Sequence, residues 1–176
     1  MTLSHRMCAL LAGLLLGLQM TTACAAAPRP GDVPPPDLGR TLAGDEILLP
    51  DYVGKAVIVT FWATWCPYCI KELPILQNVQ DKVGKEQMAV IAVNTERFDV
   101  YKRAARIMRE SMSMELVSDA SGQAQHAFGV RGLPHMLIIG RDGRILRVYD
   151  GYAEEKLDAI VADINTALKP LPSPAQ

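Results

Sequence analysis

Cysteine is scarce in this sequence and histidine scarcer: four and three among 176 residues. Cys8 and Cys24 lie in the leading stretch, and Cys66 and Cys69 stand too close together to tie distant loops. A disulfide-stapled scaffold is therefore excluded. A structural zinc site would need two further ligands from His126 and His135, whose spacing fits no finger pattern. Charge of one sign is not in excess either: 18 Lys and Arg stand against 19 Asp and Glu. A nucleic-acid partner or an anionic membrane surface would require a basic surplus, so neither is expected. A long apolar run is missing too, since the stretch Cys8 to Leu18 falls short of the roughly 20 residues that a membrane-crossing helix needs. No motif asks for a bound cofactor, and none is expected. What is abundant is apolar material, 49% of the residues, enough to build a core without covalent staples.

Residues 1–27 read as a secretory signal: His5 and Arg6 begin it, the apolar run follows, and Gln19 to Ala27 turns polar and small. Ala23-Cys24-Ala25 supplies the small-x-small pattern of ordinary cleavage. Thr22-Ala23-Cys24 also matches the end of a lipoprotein site in part, with Thr21 where a leucine is usual, so a lipid anchor at Cys24 stands beside the soluble reading. Pro28 to Pro36 reads as a semi-rigid linker of polyproline character. The domain is expected over 37–170, with a tail at 171–176.

Within that domain the elements alternate. Ala56 to Ala63 and Gln87 to Val93 are nearly continuous apolar runs, as strands covered on both faces should be. Helices are expected at Pro67 to Val83, at Asp99 to Met112 with Val100, Ala104, Ile107 and Met108 on its apolar side, and at Glu154 to Leu168. A short strand at Leu116 to Ser118 and a short helix at Ser121 to Phe128 lie between. Met136 to Ile139 and Ile145 to Tyr149 flank a tight Asp142-Gly143 turn and read as an antiparallel pair. A β-α-β unit, a hairpin and a closing helix imply an α/β fold with a central mixed sheet and helices on both faces.

Trp65-Cys66-Pro67-Tyr68-Cys69 falls where a buried strand hands over to a helix. Pro67 suits the first helical turn, where its missing N–H costs nothing. Cys66 then lies at the helix N-terminus, whose free N–H groups and dipole favour an anion and so lower a thiol pKa. Cys69 is three residues on, on the same face and within bridging reach. Cys66 is the expected nucleophile and Cys69 the resolving thiol; two inert buried residues would not need proline at such a junction.

Phe61 to Cys69, followed by Lys71-Glu72-Leu73-Pro74, resembles the active-site region of the TlpA/ResA branch of thioredoxin-like proteins. Gly129-Val130-Arg131-Gly132-Leu133-Pro134 resembles their second landmark, a loop whose cis-proline faces the disulfide. Asp51 to Lys55 and Met136 to Tyr152 continue the likeness, which spans roughly 37 to 168. The resemblance implies the thioredoxin-like fold with a strand–helix inserted before the cis-proline half. It implies a thiol–disulfide oxidoreductase that reduces disulfides of exported proteins, apocytochrome c among them, and takes electrons from a transmembrane thiol donor. Pro134 would be cis, letting the Leu133 backbone pair with a client peptide as an added strand. Trp65, Pro67, Tyr68, Leu133 and His135 would line the client side, and Pro74 would kink the helix.

Glu72 matches a position at which that family carries a functional acid, and it shares the face of Cys69; spacing alone equally allows a solvated glutamate. Thioredoxin's own buried aspartate, six residues before the first cysteine, is Thr60 here. His135 stands where threonine is common, and a histidine beside the disulfide would stabilise a thiolate when charged. The Pro67-Tyr68 dipeptide is more typical of glutaredoxins, which leaves a disulfide-forming oxidant as the alternative direction. A copper-handling module is the alternative of another class, with Met108, Met112 and Met114 as soft ligands set against their more ordinary use as core filling. A peroxidase is disfavoured, since a two-cysteine helix start suits disulfide exchange.

Overall fold

The computed structural model describes residues 27–171. The leader through residue 26, with Cys8 and Cys24, and the tail from 172 lie outside the described residues. In chain order the elements are β1 (Asp37–Thr41), β2 (Glu46–Leu48), β3 (Ala56–Trp62), α1 (Pro67–Val83), β4 (Met88–Asn94), α2 (Phe98–Met108), β5 (Glu115–Ser118), α3 (Gln123–Ala127), β6 (His135–Ile139), β7 (Ile145–Asp150) and α4 (Leu157–Ala167). Single 3-10 turns occupy Leu49–Tyr52 and Glu154–Lys156.

The strands form one mixed sheet in the order β2-β1-β5-β4-β3-β6-β7. Its centre, β3-β4-β5, is parallel, because α1 and α2 return the chain to the same end; the outer pairs are antiparallel. Both faces of β3 and β4 are covered, and all seven residues of each are buried, which is why their sequences are apolar but for Thr60 and Asn94. Alternation divides them. Ala56, Ile58 and Trp62 meet α1, α2 and α4 through Leu73, Leu76, Tyr101, Ala105, Ile164 and Ala167. Val57, Val59 and Phe61 turn the other way, to Ala124, Phe128, Leu38 and Leu137.

Three features depart from the sequence reading. The edge hairpin β1–β2 has no counterpart there; Gly39, at φ 108°, lets β1 lie so close to β5 that an added Cβ would stand 2.2 Å from the Ser118 carbonyl oxygen. Helix α2 ends at Met108, and its buried face is centred on Tyr101 and Ala105, leaving Ile107 70% exposed. The turn of the helix is set by the Tyr101 hydroxyl, which donates to the Leu116 carbonyl at 2.7 Å in the core. The Pro-rich segment is docked along part of its length: Gly31 N–H donates to Ile145 O at 2.8 Å, and Ile145 N–H donates to Asp32 O at 3.0 Å. The three methionines weighed as copper ligands fill the core, Met114 inside it and Met108 and Met112 packed against it. Among the described residues, no helix is long and apolar enough to cross a membrane.

Candidate active site

The site gathers at the carboxyl ends of β3 and β4, the end of an open parallel sheet at which α/β proteins place their chemistry. Strand β3 ends at Trp62, the chain turns through Ala63-Thr64-Trp65, and Cys66 caps α1. The Cys66 N–H returns to the Ala63 carbonyl at 3.1 Å, and the Cys69 N–H donates to Cys66 Sγ at 3.2 Å. Cys66 and Cys69 are joined as a disulfide with their Cα atoms 5.3 Å apart. Both sulfur-bearing residues are buried, while Trp65, Pro67 and Tyr68 around them are exposed. A helix N-terminus with an amide aimed at Cys66 Sγ favours negative charge on that sulfur once the bond is opened.

Glu72 lies one turn beyond Cys69 and is only 7% exposed, so it is not the solvated glutamate that its spacing allowed. Its Oε2 accepts from the hydroxyl of Thr60, 2.8 Å away and fully buried on β3. Burial pushes the Glu72 carboxyl above the usual range, and the Thr60 hydrogen bond acts in the opposite sense. Pro74 lies inside α1 and is exposed.

The second half of the site is the loop before β6. The Leu133–Pro134 peptide is cis, Pro134 is buried, and its carbonyl accepts from Gly151 N–H at 2.8 Å. Leu133 is half-buried.

His135 does not stand beside the disulfide. It pairs with Phe61 across β3 and β6, which turns its ring onto the Phe61 face, away from Thr60 and Glu72. It is 4% exposed, and Nδ1 lies 2.6 Å from Asp150 Oδ1. Adjacency to Pro134 in sequence does not survive the side-to-side alternation of a strand.

Three contributors have no role assigned in the sequence reading. The Glu96 carboxylate, two residues past β4, accepts from Thr64 N–H at 2.6 Å, Thr64 Oγ1–H at 3.0 Å and Asn94 Nδ2–H at 3.2 Å, fixing the turn that presents Cys66. Tyr152 stacks on Tyr68 with ring centroids 5.9 Å apart. Asp150 holds His135, so three successive residues, 150–152, brace both halves of the site. Position at a strand's carboxyl end was the one available signal for Glu96.

Known proteins resemble this chain in sequence and in fold. The AhpC/TSA family model matches residues 31–148. Thiol-disulfide oxidoreductase ResA of Geobacillus thermodenitrificans is 31% identical over 123 residues, 69% of either chain. The ResA of Bacillus subtilis is 28% identical over 128 residues, 72% of this chain and 69% of that one. In structure, a Chlorobium tepidum protein described as a DsbE-type thiol:disulfide interchange protein superposes with a TM-score of 0.72 at 25% identity, over 82% of this chain and all of the other. The chain belongs to the AhpC/TSA family of thioredoxin-like proteins, and it is a thiol–disulfide oxidoreductase related to ResA.

Proposed function

We propose that the protein is a reductant of disulfides in exported proteins, with apocytochrome c as one client class and a transmembrane thiol protein as the electron donor. The observation that carries the reading is the pairing of a helix-capping cysteine couple with a buried carboxyl one turn away. The Cys66 thiolate attacks one sulfur of the client disulfide, forms a mixed disulfide and releases the first client sulfur as a thiolate. Cys69 then gives its proton to the Glu72 carboxylate and attacks Cys66 Sγ, and the second client sulfur departs with the bonding electron pair. Glu72 passes that proton to one client thiolate and solvent protonates the other, so the client gains two electrons and two protons overall and the enzyme couple is oxidised. A buried carboxyl that ionises nearer neutrality than an exposed one suits both halves of that transfer.

The loop before β6 supports an added-strand mode of client binding: among the described residues, Leu133 makes no backbone hydrogen bond, leaving its N–H and C=O for a client chain. The leader 1–27 supports export, with the mature protein soluble or lipid-anchored through Cys24. The opposite direction, disulfide donation, draws support from the Cys69 N–H aimed at Cys66 Sγ, because stabilising the thiolate stabilises the reduced form.

The test is turnover of a protein disulfide such as insulin, with dithiothreitol or a donor thiol protein regenerating the enzyme. Multiple turnovers are expected, lost in Cys66→Ser, while Cys69→Ser stalls as a mixed disulfide visible on a non-reducing gel. Unchanged turnover in Cys66→Ser would remove the reading.

A further inference from the structure

Thr60 is a hydroxyl in the middle of a strand whose other six residues are apolar, and it is fully buried. A threonine there without a partner would cost stability. Its Oγ1–H instead donates to Glu72 Oε2 at 2.8 Å across the gap between β3 and α1. This is the one side-chain hydrogen bond to Glu72 among the described residues, so the carboxyl depends on a single donor. No ion pair to Glu72 occurs among the described residues, and no neighbouring charge contributes to its shift. From β3, β4, β6 and α4 the cluster contributes apolar side chains such as Ile58, Trp62, Val90, Ala92, Met136, Ile138, Ile164 and Ala167. The titratable side chains within that cluster are Cys66 and Cys69 on α1, Tyr101 on α2 and Tyr149 packed from β7. Both tyrosines are pushed up to about 12 and stay neutral.

We propose that Thr60 is a positioning residue for thiol exchange: its hydroxyl orients the Glu72 carboxylate and sets the pH at which that group takes the Cys69 proton. The inference rests on the role given to Glu72 above and adds the element that controls it. An ionised carboxylate only accepts hydrogen bonds, so a lone hydroxyl donor favours it over the neutral acid, in a core that favours the neutral acid. The strand position six residues before Cys66 thus serves the proton relay through its neighbour on the helix and not through an acid of its own.

The experiment is the pH profile of protein-disulfide reduction by the full-length protein, read with a titration of the Glu72 carboxyl by carbon NMR. Thr60→Val keeps shape and removes the donor. Its acidic limb and the Glu72 titration are expected to move together to higher pH by about one unit, the tenfold that one hydrogen bond to a charged group is worth. Thr60→Ser restores the hydroxyl and is expected to return both towards the wild type, which a merely structural role in packing β3 would not do. In a Glu72→Gln background the limb that follows the Glu72 titration is absent, leaving only that of the Cys66 thiol, and Thr60→Val has no further effect on the profile. A limb unmoved in Thr60→Val, or moved equally with Gln at position 72, overturns the role of Thr60. A wild-type limb that persists in Glu72→Gln overturns instead the proton-carrier role of Glu72 on which this inference is built.

Discussion

Replacing Glu96 by alanine removes the side chain that accepts both hydrogen bonds of Thr64 in the turn between β3 and Cys66. The carboxylate receives both donors of Thr64, at 2.6 and 3.0 Å, and the Asn94 amide at 3.2 Å. Hydrogen bonds to a charged group are worth about 1.5–3 kcal/mol each when shielded, and less where water competes, as it does at this half-exposed residue. Taking about 1 kcal/mol for each of the two Thr64 bonds gives a loss of about 2 kcal/mol, which lowers the melting temperature of a domain this size by roughly 4–8 °C. The loss has a functional side as well. A turn freed to move by an ångström takes the Cys66 sulfur out of line with its target, a class of error that costs up to about a hundredfold in rate. Glu96→Gln keeps one acceptor oxygen and is expected to show about half the stability loss. The assays are thermal unfolding of the oxidised protein and the kcat for insulin reduction. Glu96→Ala with an unchanged melting point and an unchanged kcat would refute the reasoning, because the turn would then be held by Asn94, Thr95 and the backbone alone.

Other expected outcomes follow from single contacts. Burial raises the folded-state pKa of Glu72 above its unfolded value, so its contribution to stability is full below the unfolded pKa of about 4.3 and is lost as pH rises through the folded one. Glu72→Gln should therefore match the wild type in urea unfolding near pH 4 and exceed it at pH 7; a wild type that gains on the variant as pH rises would contradict this. Tyr101→Phe leaves the Leu116 carbonyl without its hydroxyl partner in the core and should cost about 1–3 kcal/mol in the same unfolding assay, with the reduction potential unaltered. Gly39→Ala places a Cβ 2.2 Å from the Ser118 carbonyl oxygen, so hydrogen exchange should show faster opening of β1 than in the wild type; equal protection would mean that β1 adjusts without cost.

What the sequence disclosed and what it withheld have separate physical causes. The central strands and α1 were legible because burial on both faces demands unbroken apolar runs and because Pro67 and the cysteines mark a helix start. The same local logic placed Cys66 and Cys69, whose relation spans one helical turn. It did not reach β1 and β2, short edge strands whose pairing depends on what a missing Cβ permits at Gly39. On α2 the apolar count passed over Tyr101, although a ring that buries itself and satisfies its hydroxyl directs the helix as firmly as any aliphatic residue. Adjacency misled at His135, since the residue after Pro134 begins a strand and faces the opposite side. Glu96 and Thr64 are 32 positions apart, and their meeting is a product of topology that no local pattern announces. Glu72 was visible as a residue, but its burial was not, because a helix's inward face is decided by what packs on it.

The reduction potential of the Cys66–Cys69 couple, measured by equilibration with glutathione or dithiothreitol, tests the central claim most directly. A reductant of exported disulfides is expected near the thioredoxin value of about −270 mV, whereas a potential near the about −120 mV of the oxidant DsbA would contradict the proposed direction and make the protein a disulfide donor.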